Sequence, residues 1–503
     1  MAQTGKAFAA VDLGASGGKV FVGSFAGGGF ELREVHRFDN GGVPTWAVEA
    51  DGTVTEKIYW DVLNLFNQVV LGLRKAADAT EVPIESIGID TWGADAGLLN
   101  EYGELLSPVY CYRDHRLDDV RDELSNVLSP RELFDITGLP SQPFYLLNQL
   151  FWLKCNRPDL LAMTRCVVPI GSLLQYHLCG STAAEQTWMA VQELTMAGTA
   201  DYDDRLLEAA GVDRSILPEV VAPGTVVGLL RPDLAEATGL GPCKIVATKM
   251  HDTASAFTAA PVADRRKGLI ISSGTWSLVG RILDEPLLSD AVFEGRLANE
   301  GVRGDVRLLR NVMGTWPVQQ LREAWMRQDG REISWDAIAE LAQAAPVLAT
   351  LVDVDDQAIY NPPDMEAAIR AQIARTGQAQ PSGRGELLRA VYEGLALKVR
   401  EVNAFLQEAT GDRHEVIHVV GGGARNGLLN QFIADATGLP VKAGPYEATC
   451  IGNILVQAVA AGQFPDTQTA RAAVDAALPT VTVEPEDSTC WAAAADALSG
   501  WHG

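Results

Sequence analysis

The chain carries one local pattern twice. Phe8 to Leu13 and Val20 to Phe25 read as strand-like runs joined across Gly14-Ala15-Ser16-Gly17-Gly18-Lys19. Roughly 260 residues later, Leu269 to Ile271 and Trp276 to Val279 repeat the arrangement across Ser272-Ser273-Gly274-Thr275. Apolar, strand-like runs flanking a small-residue turn predict a hairpin. Such a turn leaves backbone N–H groups and a hydroxyl unobstructed, which is what a phosphate group needs. Two of these hairpins in matching positions, each opening one half of a 503-residue chain, predict an internal duplication. The expected organisation is two similar α/β lobes, residues 1–257 and 258–503.

Between the hairpins the pattern stays α/β. Apolar residues at helical spacing (Val62, Leu63, Leu65, Phe66, Val69, Val70, Leu73) predict a core-facing helix from about Trp60 to Ala77. Ser86 to Asp90 reads as a buried strand ending in Thr91-Trp92-Gly93-Ala94-Asp95, and open α/β sheets place ligands at such ends. A second apolar run, Lys244 to Met250, ends in His251-Asp252-Thr253. Asp252 stands next to the second hairpin in sequence and is placed to take a proton from a hydroxyl attacking phosphate; a buried Asp-Thr cap explains the same letters. Arg113, Asp114 and Arg116 stand among aromatics, either as a solvated loop or as part of a substrate cleft. Pro317 is tolerable only in the first turn of its helix. Glu415 to Val420 runs into Gly421-Gly422-Gly423 and then a helix, an arrangement that lets backbone approach a nucleotide. It is neither G-x-G-x-x-G nor a Walker A motif.

Composition removes several function classes. With 65 acidic against 40 basic residues the formal net charge is −25. A nucleic-acid or anionic-membrane partner, which requires a basic surface, is not expected. The seven cysteines are scattered without a C-x-x-C pair, so neither a zinc site nor a disulfide framework is indicated. No run has the length of a membrane span, and a reducing, cytoplasmic setting is expected.

Nine segments in order carry a resemblance to the FGGY family of carbohydrate kinases. They are A-V-D-L-G-A-S-G-G-K (10–19), I-G-I-D-T-W-G-A-D (87–95), P-V-Y-C-Y-R-D (108–114), H-D-T-A-S-A (251–256), S-S-G-T-W-S-L (272–278), N-E-G (299–301), L-R-N-V-M-G-T-W (309–316), V-G-G-G-A-R-N (420–426) and A-G-P-Y-E-A (443–448). Within the family they are most like the members that phosphorylate L-rhamnulose on its 1-hydroxyl. The resemblance implies an actin-like ATPase (ribonuclease H-like) fold with a central cleft, and ATP and Mg²⁺ as cofactors. Carried over residue by residue, Asp252 is the base, and Gly93, His251, Thr253 and Asn311 bind the sugar. Ala15, Ser16, Gly17, Gly18, Lys19, Thr275, Gln319 and Gly423 meet the nucleotide, and Asp12 the metal. A kinase of L-fuculose or a pentulose, and an actin- or Hsp70-like ATPase, are the alternatives; a homodimer is left open.

Three positions depart from the family pattern. Lys19 replaces a usual arginine, keeping charge but losing the bidentate fork. Ala94, Asp95, Ala96 and Gly97 replace bulkier residues, which predicts a roomier sugar pocket. Val302 stands where a second glycine is usual.

Overall fold

The computed structural model of the chain describes residues 5–27, 29–48 and 51–499. Two compact units emerge, neither of them one continuous segment. The first takes in residues 283–308 and 448–477 besides the N-terminal stretch to Ala259; the second comprises 260–282, 309–447 and the segment from 478. No helix among the described residues is long and apolar enough to cross a membrane.

The first unit is built on a six-stranded sheet. Its order is Thr225–Leu229, Lys244–Ala247, Ile84–Thr91, Lys6–Gly14, Gly17–Ala26, Gly29–Asp39. Lys6–Gly14 pairs antiparallel with Gly17–Ala26 and parallel with Ile84–Thr91. Ala7 to Val11 are all fully buried, as the unbroken apolar run of a strand covered on both faces requires. Ala7, Ala9, Val11 and Leu13 share one apolar layer with Leu65, Val69 and Leu73 of the helix Val62–Ala77. Asp61 starts that helix by accepting the Asn64 N–H. Cutting Leu73 to Ala would cost about 2–5 kcal/mol by loss of transfer energy and a cavity. Leu63, expected in this core, is 70% exposed; it falls on the opposite side of the helix.

The helices Asp252–Ala259 and Ala448–Ala460 also pack on Lys6–Gly14. They approach each other so closely that a Cβ on Gly452 would lie 1.9 Å from the Ser255 carbonyl oxygen.

The second unit repeats the motif. Gly268–Ser273 pairs antiparallel with Trp276–Leu283 and parallel with Val416–Val420, and Val441–Ala443 and Val481–Val483 extend the sheet. Arg384–Thr410 is a 27-residue helix closed by Gly411 at φ 70°, where glycine avoids the left-handed penalty. Pro317 does lie in the first turn of the helix Trp316–Asp329.

Both turns are tighter than their small-residue runs suggest. Only Ala15-Ser16 and Gly274-Thr275 stand between strands. Gly17, Gly18 and Lys19 extend the ladder because Gly29–Asp39 pairs with them, Gly18 opposite Phe38. A Cβ on Gly18 would meet the Phe38 ring at 2.2 Å.

Candidate active site

Sheet register gathers charge at one strand end of the first unit. Asp12 lies opposite Lys19 on one side and Asp90 on the other. Asp90 is fully buried. Its Oδ2 accepts a 2.5 Å hydrogen bond from Asn453 Nδ2, and its Oδ1 has no hydrogen-bond partner. Burial first, and then the negative charge of Asp12, hold the Asp90 carboxyl well above the usual carboxylate range. Asn453 is fixed in turn by Gln457, which donates to Asn453 Oδ1 and to the Ala9 carbonyl.

The neighbouring strand end brings in the His-Asp-Thr trio. Thr91 N–H donates to the Met250 carbonyl at 2.7 Å, so His251 emerges beside Trp92-Gly93. Gly93 is needed there, since a Cβ would sit 2.8 Å from His251 Nε2. Asp252 opens its helix and accepts from the Thr253 N–H at 2.6 Å and the Thr253 hydroxyl at 3.2 Å. Asp252 thus makes the local cap-like bonds of one sequence-based explanation, while its side chain stays 34% exposed. Burial among its neighbours, then the charge of Asp12, push the Asp252 carboxyl up to about 7; its remaining exposure lets water screen part of that push. His251 is driven down to about 3 by burial and by Arg307, so its imidazole is neutral at pH 7. The arrangement offers a half-ionised carboxylate beside a neutral ring, which suits proton abstraction from a bound hydroxyl.

The small residues after Gly93 do not open this site. Asp95 takes φ 74° and turns the chain into the core. There its carboxylate accepts from Trp60 Nε1, Trp92 Nε1, the Tyr112 N–H and Gln149 Nε2. Ala96 and Gly97 continue into the strand Ala96–Leu99 and border a void of about 20 Å³, room for little more than a water molecule. The expectation of a roomier sugar pocket is corrected accordingly. Arg113, Asp114 and Arg116 are likewise neither a solvated loop nor a cleft wall as a group. Asp114 is 2% exposed and receives the Ile58 N–H; Arg116 stacks over Tyr110 at 4.1 Å and bonds Gln149.

In the second unit the converging groups are neutral. Gly274 O accepts from both the N–H and the hydroxyl of Thr315, each at 3.0 Å. Gln319 Nε2 donates to the same hydroxyl at 3.0 Å. A Cβ on Gly314 would meet the Gly274 and Thr275 carbonyls at 2.6 Å, and one on Gly423 would lie 2.0 Å from Ser273 Oγ. Thr275, Gln319 and Gly423 are thus brought together around one turn. Asn311 lies exposed on the strand Asp305–Met313, outside that cluster.

Residues 43–259 match the N-terminal domain of the FGGY family of carbohydrate kinases, and residues 269–461 match its C-terminal domain. A rhamnulokinase of Bacteroides thetaiotaomicron is 37% identical over 488 residues, 97% of each chain. The chain belongs to the FGGY family of carbohydrate kinases. A rhamnulokinase of Bacillus subtilis is 34% identical over 481 residues, 95% of this chain and 96% of the other. Among solved structures, a gluconate kinase from Lactobacillus acidophilus aligns with TM-score 0.77 at 15% identity, over 99% of this chain and 98% of the other. A xylulose kinase from Rhodospirillum rubrum gives TM-score 0.77 at 16% identity with the same coverage. At such identities these two establish the fold, the two-domain α/β architecture of FGGY sugar kinases.

The FGGY motifs left several polar residues of these sites without a role. Asp90 stands in a quoted motif, but its burial depends on tertiary packing. Asn453 and Gln457 left a signal: two amides four residues apart in an otherwise apolar helix, hence on one face. Thr315 gave none beyond its motif.

Proposed function

We propose that this kinase transfers the γ-phosphoryl group of ATP to the 1-hydroxyl of L-rhamnulose. The observation that carries the reading is the Asp252 carboxylate, partly exposed and raised toward 7, standing beside His251 and Gly93 in a chain 34–37% identical to rhamnulokinases over more than nine tenths of its length. Gly93, His251 and Thr253 hold the sugar, with Asn311 as a further contact. As the sugar oxygen forms its bond to the γ-phosphorus and the bond to ADP breaks, Asp252 accepts the hydroxyl proton. Ala15 to Lys19, Thr275, Gln319 and Gly423 contact the nucleotide, the neutral donors through backbone and amide groups.

Asp12, with Asp90 behind it, fits a hard divalent cation. The Asp12 charge raises the affinity of the buried Asp90 carboxyl for positive charge, and Asp90 Oδ1 has no hydrogen-bond partner. No three carboxylate, histidine or cysteine groups among the described residues converge to hold a metal unaided. That agrees with Mg²⁺, which takes one or two carboxylates and completes its shell from phosphates and water. When bound it supplies charge neutralisation at the phosphates.

A panel of ketoses with Mg-ATP, read by ADP release, tests the proposal. L-rhamnulose is expected to give the highest kcat/KM. A preference for L-fuculose or a pentulose would move the substrate, and ADP release at full rate without sugar would overturn the kinase mechanism.

A further inference from the structure

The Asn299-Glu300-Gly301 motif has so far no part in the chemistry, and the structure shows what each letter does. Asn299 ties its strand down: Oδ1 accepts the Leu287 N–H at 2.7 Å, and Nδ2 donates to the Leu287 and Gly138 carbonyls. Gly301, at φ 111°, allows the next strand to fold back, since a Cβ there would lie 2.4 Å from the Asp305 carbonyl oxygen and 3.2 Å from Arg307 Nη1. Val302 bridges to Gly198, which accommodates the departure from glycine. Between them Glu300 is 5% exposed and sits in a line of polar groups.

That line runs from Asp252 inward. Asp252 Oδ1 is 3.5 Å from His251 Nε2, and His251 Nδ1 is 3.6 Å from Glu300 Oε2. Glu300 Oε2 is 3.7 Å from Nε of Arg307, itself 1% exposed. Arg307 is backed by Asp305, which Lys249 pairs at 2.8 Å. All of these separations except the last exceed hydrogen-bond reach. Accordingly His251 Nδ1, Glu300 Oε2 and the three Arg307 guanidinium nitrogens are buried without a hydrogen-bond partner. Buried polar groups left unpaired are costly, so a small shift that closes the line is favoured. Catalytic hydrogen bonds are often long before ligands bind and shorten in the reacting complex.

We propose that Glu300 is a positioning residue for phosphoryl transfer, acting through His251. Braced by Arg307, its carboxyl receives the Nδ1 side of the ring and so fixes the orientation in which Nε2 faces Asp252 and the sugar. Burial raises the Glu300 carboxyl to about 7, in keeping with a neutral or shared-proton contact to a neutral imidazole. The inference rests on the roles proposed for Asp252 and His251.

The test compares Glu300→Gln with Glu300→Asp. Gln keeps the reach to Nδ1 and loses the charge; Asp keeps the charge for Arg307 and withdraws by one methylene. A positioning role through His251 predicts that Gln stays within about threefold of wild-type kcat while Asp falls ten- to a hundredfold, the scale of a misplacement near 1 Å. The nucleotide KM stays unchanged in both. A purely structural ion pair predicts the reverse order, Asp active and Gln impaired, and that result overturns the proposal. In a His251→Asn background the Asp substitution should add nothing further; an undiminished additional loss would equally overturn it. If Asp252→Asn keeps wild-type activity, it is the proposed mechanism that fails; if Asp252→Asn is inactive and Glu300→Asp fully active, only this inference does.

Discussion

Lys6–Gly14 and Gly268–Ser273 are each the middle of the same three-strand arrangement, antiparallel to the following strand and parallel to one from further along the chain. Around the first turn stand Asp12, Lys19, Asp90 and Asp252, a mutually perturbing set of charges. Around the second stand Ser273, Thr315, Gln319 and three glycines, joined by neutral hydrogen bonds. The same strand arrangement occurs twice, with different side chains around the turn. On the proposed function, the charged copy moves the proton and holds the cation, and the neutral copy holds the nucleotide.

The largest expected effect lies in the charged copy. Asp252→Asn should lower kcat by about 10²–10⁴-fold, the usual contribution of a general base, while Tm and nucleotide binding stay near wild type. Retention of more than a tenth of kcat would remove the contrast between the two copies. The same group gives the pH dependence. With its carboxyl raised from 3.8 to about 7, the basic form increases as pH rises through neutrality, so kcat/KM should climb between pH 6 and 8. Between 3.8 and about 7 the native state holds a proton that the unfolded chain has released. Stability from this group is therefore lost as pH rises across that window, and the Tm profile of Asp252→Asn should be flatter there.

Next in size are two glycine substitutions, one for each unit. Gly452→Ala sets a Cβ 1.9 Å from a backbone oxygen and should cost about 1–3 kcal/mol or more in stability by overpacking, read as a fall in Tm. Gly423→Ala crowds Ser273 Oγ at 2.0 Å and should raise the nucleotide KM about tenfold with sugar affinity unchanged. If sugar affinity changes instead, the neutral copy is doing more than holding nucleotide. Thr315→Val removes one hydroxyl that serves both Gly274 and Gln319. It should cost about 1 kcal/mol, roughly fivefold in nucleotide affinity by calorimetry. Smallest is Lys19→Arg, which keeps the charge and adds a bidentate fork, and should change the nucleotide KM by less than about threefold.

Local pattern made much of this legible. The hairpins, the first-turn proline at 317 and the His251-Asp252-Thr253 trio at the end of an apolar run all follow from neighbours in sequence. What escaped depends on distant partners. The space beside Ala94 to Gly97 could not be judged without knowing that Asp95 turns inward to two tryptophans. Arg116 reads as a surface charge until Tyr110, Trp152 and Gln149 enclose it. Glu300 was visible within a motif, but its alignment with His251 and Arg307 is set by a hairpin whose closure turns on Gly301.

The helix Ala448–Ala460 has a consequence for synthesis. Asn453 donates to Asp90 and Gln457 to the Ala9 carbonyl, while the Ser86 hydroxyl donates to Gln457 Oε1; Asn453 lies more than 360 residues downstream of Asp90. While the chain is being made, the first sheet therefore lacks the side chains that bond Asp90 and the Ala9 carbonyl in the finished fold until residue 457 has left the ribosome. Completion of the first unit is therefore expected to wait for its last segment, although most of the unit is made first. A nascent chain stalled before 448 should be a good chaperone client, and co-expressing residues 1–447 with the remainder should restore less enzyme than expressing the chain whole.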